Sequence, residues 1–196
     1  MPITTPAIKV DSVKNYGGKV LLYGDTFDEA FDYATSLAKK DGFTFIHPYD
    51  DQDVIVGQGT VGKELFDEIG SSIDAVFVPV GGGGLLAGLG TYLKSVSPNT
   101  KIIGVEPEDA ACLKLALENN KRLSLKEVGL FADGVAVKQI GKKTFSLIKD
   151  WIDDVVTVSV DEMCASVQDT FQETRIMSEP AGALALAGLK KYVQSR

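Results

Sequence analysis

Val76-Phe77-Val78-Pro79-Val80 runs into Gly81-Gly82-Gly83-Gly84 and on into Leu85-Leu86-Ala87-Gly88-Leu89, and this stretch decides the fold. The first part is a short apolar run rich in β-branched residues, as a buried parallel strand requires. The glycines let successive backbone N–H groups face one concavity, and an anion can approach them without meeting a Cβ atom. From Leu85 the pattern is helical, and a helix start offers free N–H groups and the positive end of the dipole. Strand, glycine loop and helix together predict a phosphate cup at the carboxyl end of a central strand.

The rest of the composition narrows the function classes. Of 196 residues, 44% are hydrophobic and 24% charged, which is ordinary for a globular protein. Net charge is −7 and the basic residues are scattered, so nucleic acid and anionic membrane are not expected as partners. The longest apolar stretch, Ala181 to Leu189, is too short to span a bilayer, and no secretory leader pattern is seen. Cys112 and Cys164 lie far apart outside any metal-spacing motif, and both are expected to be buried thiols of a reducing, cytoplasmic compartment rather than a disulfide. His47 is the only histidine; a His-based metal site or Ser-His-Asp triad has almost no raw material. Set before Pro48, it is expected to be a structural turn residue rather than a base.

Around the loop, helices and strands alternate. Helices are expected after Thr4-Thr5-Pro6 as far as Gly17-Gly18, from about Thr26 to Lys40, and through about Ile69 after a glycine-rich turn, Gly57 to Lys63. Further helices are expected over Asp109 to Glu118, near Leu125, and over Lys142–Trp151, Asp161–Arg175 and Pro180–Tyr192. Strands are expected at Lys19–Tyr23, Phe43–Ile46, Val76–Val80, Lys101–Val105 and Asp154–Val158. The alternation predicts an α/β fold with a mostly parallel, doubly wound sheet and ligands at the strands' carboxyl ends.

Three phosphate-binding readings compete. Gly57-Gln58-Gly59-Thr60-Val61-Gly62-Lys63 fits the opening of a Walker A loop, but Glu64 stands where a Ser or Thr should hold Mg²⁺. A carboxylate there would repel a triphosphate, so a glycine-rich turn is preferred. Gly82, Gly84 and Ala87 match a dinucleotide-binding fingerprint, with Glu106 ending the next strand at the position of a ribose contact. That reading gives a Rossmann-type NAD-binding domain, or a non-catalytic binding module, but leaves the run of four glycines unexplained.

The third reading rests on a resemblance. Val78-Pro79-Val80-Gly81-Gly82-Gly83-Gly84-Leu85 resembles the tetraglycine loop of the serine/threonine dehydratases, pyridoxal-phosphate enzymes of the tryptophan synthase β-like fold (fold type II). The resemblance runs nearly end to end. It takes in Thr4-Thr5-Pro6-x-x-Lys9-Val10, Gly57-Gln58-Gly59-Thr60, Gly104-Val105-Glu106-Pro107, Phe131-Ala132-Asp133-Gly134-Val135-Ala136-Val137 and Glu179-Pro180-Ala181-Gly182-Ala183. Glu106-Pro107-Glu108-Asp109 with Cys112-Leu113, and Phe131 to Lys138, are most similar to the family's biosynthetic threonine-deaminating branch.

The resemblance implies that Gly81, Gly82, Gly83, Gly84 and Leu85 hold the phosphate of pyridoxal 5'-phosphate through backbone N–H groups. It implies that Asp133, Gly134 and Glu179 lie near the cofactor ring and the substrate, a small amino acid. Relatives with a divalent metal use the glutamate equivalent to Glu106, a carbonyl at Ala110 and an aspartate where Cys112 stands here. A thiol is a poor ligand for Mg²⁺ or Ca²⁺, and no metal is expected. The family's Schiff-base lysine lies in a Ser-Phe-Lys-x-Arg-Gly-Ala motif absent from this sequence, so no catalytic residue is nominated. The resemblance thus implies an internal piece of a threonine ammonia-lyase of isoleucine biosynthesis, inactive alone and without the regulatory domain. Residues 1–41 would be a remnant of the small domain and 42–196 most of the large cofactor-binding one, in a parent that self-associates.

Overall fold

Reciprocal capping begins two of the helices. Thr26 and Glu29 form a capping box at the start of α2 (Phe27–Asp41), and Ser159 and Glu162 form one at the start of α7 (Val160–Thr174). In this computed structural model, which describes residues 1–195, the chain forms two units, Met1–Ile46 and a larger one from His47 onward.

The first unit holds α1 (Ala7–Asn15) and α2. The two stretches expected as strands, Lys19–Tyr23 and Phe43–Ile46, form no ladder. The first is instead held to the N-terminal segment by single bonds: the Met1 amine donates to the Leu21 carbonyl and the Tyr23 N–H to the Met1 carbonyl. Aromatic packing organises the rest: Tyr23 stacks on Tyr33 and Phe45 meets Phe31 edge-on.

The larger unit runs α3 (Gln52–Ile69), β1 (Ala75–Pro79), α4 (Gly84–Val96), β2 (Lys101–Pro107) and α5 (Cys112–Glu118). It continues through α6 (Lys142–Ile148), β3 (Asp154–Val158), α7 and α8 (Pro180–Gln194). The strands form a parallel sheet in the order β1-β2-β3, with Val76 beside Ile102 and Gly104 beside Val155. Alternation along each strand feeds two cores. Val76, Val78, Val80, Ile102 and Val155 join Leu86, Leu89, Leu93, Leu113 and Ile148 on one face. Phe77, Val105, Val156 and Val158 join Met163, Leu184 and Ala187 on the other. The sheet is doubly covered, as the sequence predicts.

The segment 57–63, expected as a glycine-rich turn starting a helix, is the interior of α3. Its glycines serve close packing instead. A Cβ at Gly62 would come within 2.9 Å of the Leu89 carbonyl oxygen, and one at Gly88 within 2.2 Å of the Ile55 carbonyl oxygen. Bare backbone on both helices lets α3 and α4 touch. Lys63, the Walker lysine of the rejected reading, pairs along the helix with Asp67. The helix expected near Leu125 is absent too; there the Leu125 N–H bonds the Lys138 carbonyl across an irregular loop.

Candidate functional site: an amide-lined cup at the strand ends

β1 ends at Pro79, Val80 still bonds the Val105 carbonyl, and the glycine loop then turns into α4. Gly83 takes φ +88°, a left-handed conformation that a side chain would strain. Gly82 is required by proximity, since a Cβ there would lie 2.2 Å from Cγ of Tyr49.

Each loop carbonyl has a partner. The Cys112 thiol donates to the Gly81 oxygen at 3.4 Å. The Gly82 oxygen accepts from the Thr144 hydroxyl at 2.8 Å and the Gly141 N–H at 3.2 Å, and the Gly83 oxygen accepts from the Ala87 N–H at 2.8 Å. In a trans peptide the carbonyl and the following N–H point in opposite directions. Holding the oxygens of Gly81, Gly82 and Gly83 therefore turns the N–H groups of Gly82, Gly83 and Gly84 the other way. Among the described residues, these N–H groups and that of Leu85 meet no acceptor, and Gly82 to Gly84 are buried. Buried donors without acceptors are costly, and backbone amides almost always find partners. Grouped at a helix start, they have the electrostatics of an anion site.

The other expected residues lie along one edge of this cup. Gly81 abuts the 3-10 turn Asp133–Val135: a Cβ on it would be 2.9 Å from Cα of Val135. Gly134 in turn faces the start of α8, where a Cβ would be 3.2 Å from Oε1 of Glu179 and 3.1 Å from Cβ of Ala181. The structure thus brings Gly81, the Asp133-Gly134 turn and Glu179 into one contiguous edge.

Glu106 does not join them. It is fully buried, and its two carboxylate oxygens accept the N–H groups of Leu113 at 2.7 Å and Lys114 at 2.9 Å, satisfying the start of α5. Burial pushes its carboxyl up to about 7, against the pull of those N–H donors. Burial also pushes the Cys112 thiol up, reinforced by the neighbouring Glu106. Both cysteines are free thiols, but only Cys112 is buried as expected; Cys164 lies exposed on α7. An acid so enclosed cannot reach a ribose, and this corrects the dinucleotide reading built on Gly82, Gly84, Ala87 and Glu106.

Sequence reasoning missed the loop's supports: Tyr49, Asp50, Gly141 and Thr144. Asp50 accepts the N–H groups of Lys142, Lys143 and Thr144 at 2.9, 2.7 and 3.2 Å, capping α6 from far away in sequence. His47 organises that segment, its Nδ1 accepting the N–H groups of Tyr49 and Asp50 at 3.3 and 2.9 Å. Its expected role as a turn residue agrees with this geometry. No local motif marked Asp50 or Thr144, because each acts on a segment distant in sequence. Among the described residues there is no cluster of metal-ligating side chains and no helix long and apolar enough to cross a membrane.

Comparison with known proteins gives the family. A family model described as pyridoxal-phosphate dependent enzyme matches residues 1–196. The chain is 56% identical over 192 residues to a chloroplastic biosynthetic threonine dehydratase of Solanum lycopersicum, covering 98% of this chain and 32% of the relative. It is 54% identical over 194 residues to the biosynthetic L-threonine dehydratase of Pasteurella multocida, covering 99% and 38%. The chain therefore spans about a third of the length of these curated relatives. Among solved structures, threonine deaminase isoform 2 from Solanum lycopersicum superposes with a TM-score of 0.93 at 49% identity, covering 100% of this chain and 53% of that one. Serine racemase from Dictyostelium discoideum gives 0.85 at 31% identity, covering 100% and 62%. An α/β fold with a parallel sheet, shared with these neighbours over its whole length, and a match to the family model from end to end lead to one conclusion: the chain belongs to the pyridoxal-phosphate dependent enzymes.

Proposed function

We propose that this chain is the phosphate-holding part of a threonine ammonia-lyase, which converts L-threonine to 2-oxobutanoate and ammonia. The observation that carries this reading is the set of acceptorless amides from Gly82 to Leu85, in a sequence more than half identical to biosynthetic threonine dehydratases. A phosphate dianion fits such a cup, since it offers several acceptor oxygens to donors that no protein group serves. Pyridoxal 5'-phosphate, when bound, supplies the electron sink that lets a proton leave the substrate's α-carbon.

In this reading the chain's own residues bind and orient. The amides of Gly82, Gly83, Gly84 and Leu85 hold the phosphate, Gly81 leads the chain into the cup, and the start of α4 adds its dipole. Asp133, Gly134 and Glu179 border the ring and substrate side, supported by the contiguous edge from Gly81 to Glu179. The substrate is a small hydroxy-amino acid. We extend the proposal to a cytoplasmic setting and a self-associating parent enzyme.

A chimera tests the reading. The matching residues of the Pasteurella multocida enzyme are replaced by this chain, and 2-oxobutanoate formation from threonine is followed. Turnover of threonine to 2-oxobutanoate is expected. A folded chimera that binds the cofactor yet leaves threonine untouched would refute the assignment.

A further inference from the structure

The amide cup has a back wall that no motif announced. α6 meets the glycine loop with its first turn, and Thr144 is fully buried there. Its hydroxyl donates to the Gly82 oxygen at 2.8 Å, beside the Gly141 N–H at 3.2 Å. The Gly82 carbonyl and the Gly83 N–H belong to one planar peptide, so the direction of one fixes the direction of the other. Glycine on both sides leaves that peptide little intrinsic barrier to rotating as a unit. Rotated, it would present an oxygen where a phosphate needs a donor.

Asp50 determines whether α6 can do this. Its carboxylate takes the N–H groups of Lys142, Lys143 and Thr144, and so fixes the first turn of α6 against the loop. A carboxylate at a helix start is also favoured by the dipole. The chain of contacts runs from the Asp50 carboxylate to the α6 amides, from Thr144 to the Gly82 carbonyl, and through that peptide to the Gly83 N–H.

We propose that Thr144, anchored by Asp50, is a positioning residue that sets the anion affinity of the cup by holding the Gly82–Gly83 peptide with its N–H turned inward. This rests on the reading of Gly81–Leu85 as a phosphate site. In this role Thr144 acts on the orientation of one donor through its bond to the Gly82 oxygen. Its geometry differs from a purely structural role in one respect, because a serine keeps the donor while a valine of the same shape removes it.

The experiment is a ³¹P NMR titration of the 196-residue chain with inorganic phosphate and with pyridoxal 5'-phosphate, with folding followed by circular dichroism. Thr144→Val should weaken binding of both probes about tenfold, the worth of one hydrogen bond, and Thr144→Ser should restore it to within about twofold. Asp50→Ala, a change in a partly exposed loop, should weaken binding in the same direction. It serves as the second variant should Thr144→Val fail to fold. A folded Thr144→Val chain that binds as tightly as the wild type would overturn the proposal while leaving the phosphate cup in place. Weak binding by Thr144→Ser as well would overturn it too, by making shape rather than the hydroxyl responsible. A wild-type chain that binds neither probe would overturn both the cup and this inference.

Discussion

The Thr144 hydroxyl lies 2.8 Å from the Gly82 carbonyl oxygen and joins positions 62 apart in sequence. Tyr49 also packs on Gly82, its ring atoms 2.2 to 2.4 Å from where a Cβ would stand. Gly82 thus meets both a hydroxyl and an aromatic ring. Replacing Gly82 by Ala should displace the Tyr49 ring and cost about 2 kcal/mol of stability, the usual penalty for overpacking. Urea unfolding of Gly82→Ala against wild type checks this, and an unchanged midpoint would contradict the packing described.

Gly88 should be the less tolerant glycine. A Cβ there would face backbone atoms, the Ile55 carbonyl at 2.2 Å and the Gly59 nitrogen at 2.6 Å, and backbone cannot rotate aside as a ring can. Gly88→Ala should force α3 and α4 apart and cost about 3 kcal/mol or more. Its thermal midpoint should fall further than that of Gly82→Ala.

Glu106 should make stability depend on pH. Its folded-state value is raised to about 7 by burial, so the folded chain retains a proton that the unfolded chain has released from near 4.5 upward. Stability contributed by the protonated acid is complete below pH 4.5 and declines as pH rises through about 7, by on the order of 3 kcal/mol in all. Glu106→Gln should flatten that decline. The check is the difference in unfolding free energy between variant and wild type at several values from pH 4 to pH 8. A difference independent of pH would contradict the buried-acid account.

His47 should act in the opposite direction. Its Nδ1 accepts two backbone N–H groups, which it can do only when unprotonated there, and burial holds it below its ordinary 6.5 despite Asp50 and Asp51 nearby. The folded chain then binds fewer protons than the unfolded one. The stabilisation is present above pH 6.5 and is lost as pH falls through the lowered folded-state value. His47→Gln should remove this acid-side loss, read again as a difference from wild type between pH 5 and pH 7.5.

Much of this arrangement could be read from the residues, for identifiable reasons. β1, the glycine loop and α4 carry their signal locally, as apolar run, glycines and helical spacing in consecutive residues. The helices expected from about Thr26 to Lys40 and over Asp161–Arg175 stand as α2 and α7, although that expectation does not include the capping pairs, Thr26 with Glu29 and Ser159 with Glu162, that begin them. The failures are non-local. Lys19–Tyr23 and Phe43–Ile46 have strand composition, but a strand also needs a neighbour, and none of the described residues pairs with them in a ladder. The segment 57–63 reads as a turn until Gly88 is placed against it, when the same glycines become a helix contact. Glu106 at the end of an apolar strand could point to a ligand or to a helix start, and only the position of Leu113 and Lys114 decides. Asp50 and Thr144 carry no motif because each serves a distant segment.

The central claim is that the amides of Gly82, Gly83, Gly84 and Leu85 form the phosphate cup. The most direct measurement is a ¹H–¹⁵N correlation spectrum of the chain during titration with pyridoxal 5'-phosphate. The account predicts that these amide resonances move downfield together and saturate at one concentration, while those of Gly57 to Lys63 stay in place. Saturable binding that leaves the Gly82 to Leu85 amides unmoved would contradict it.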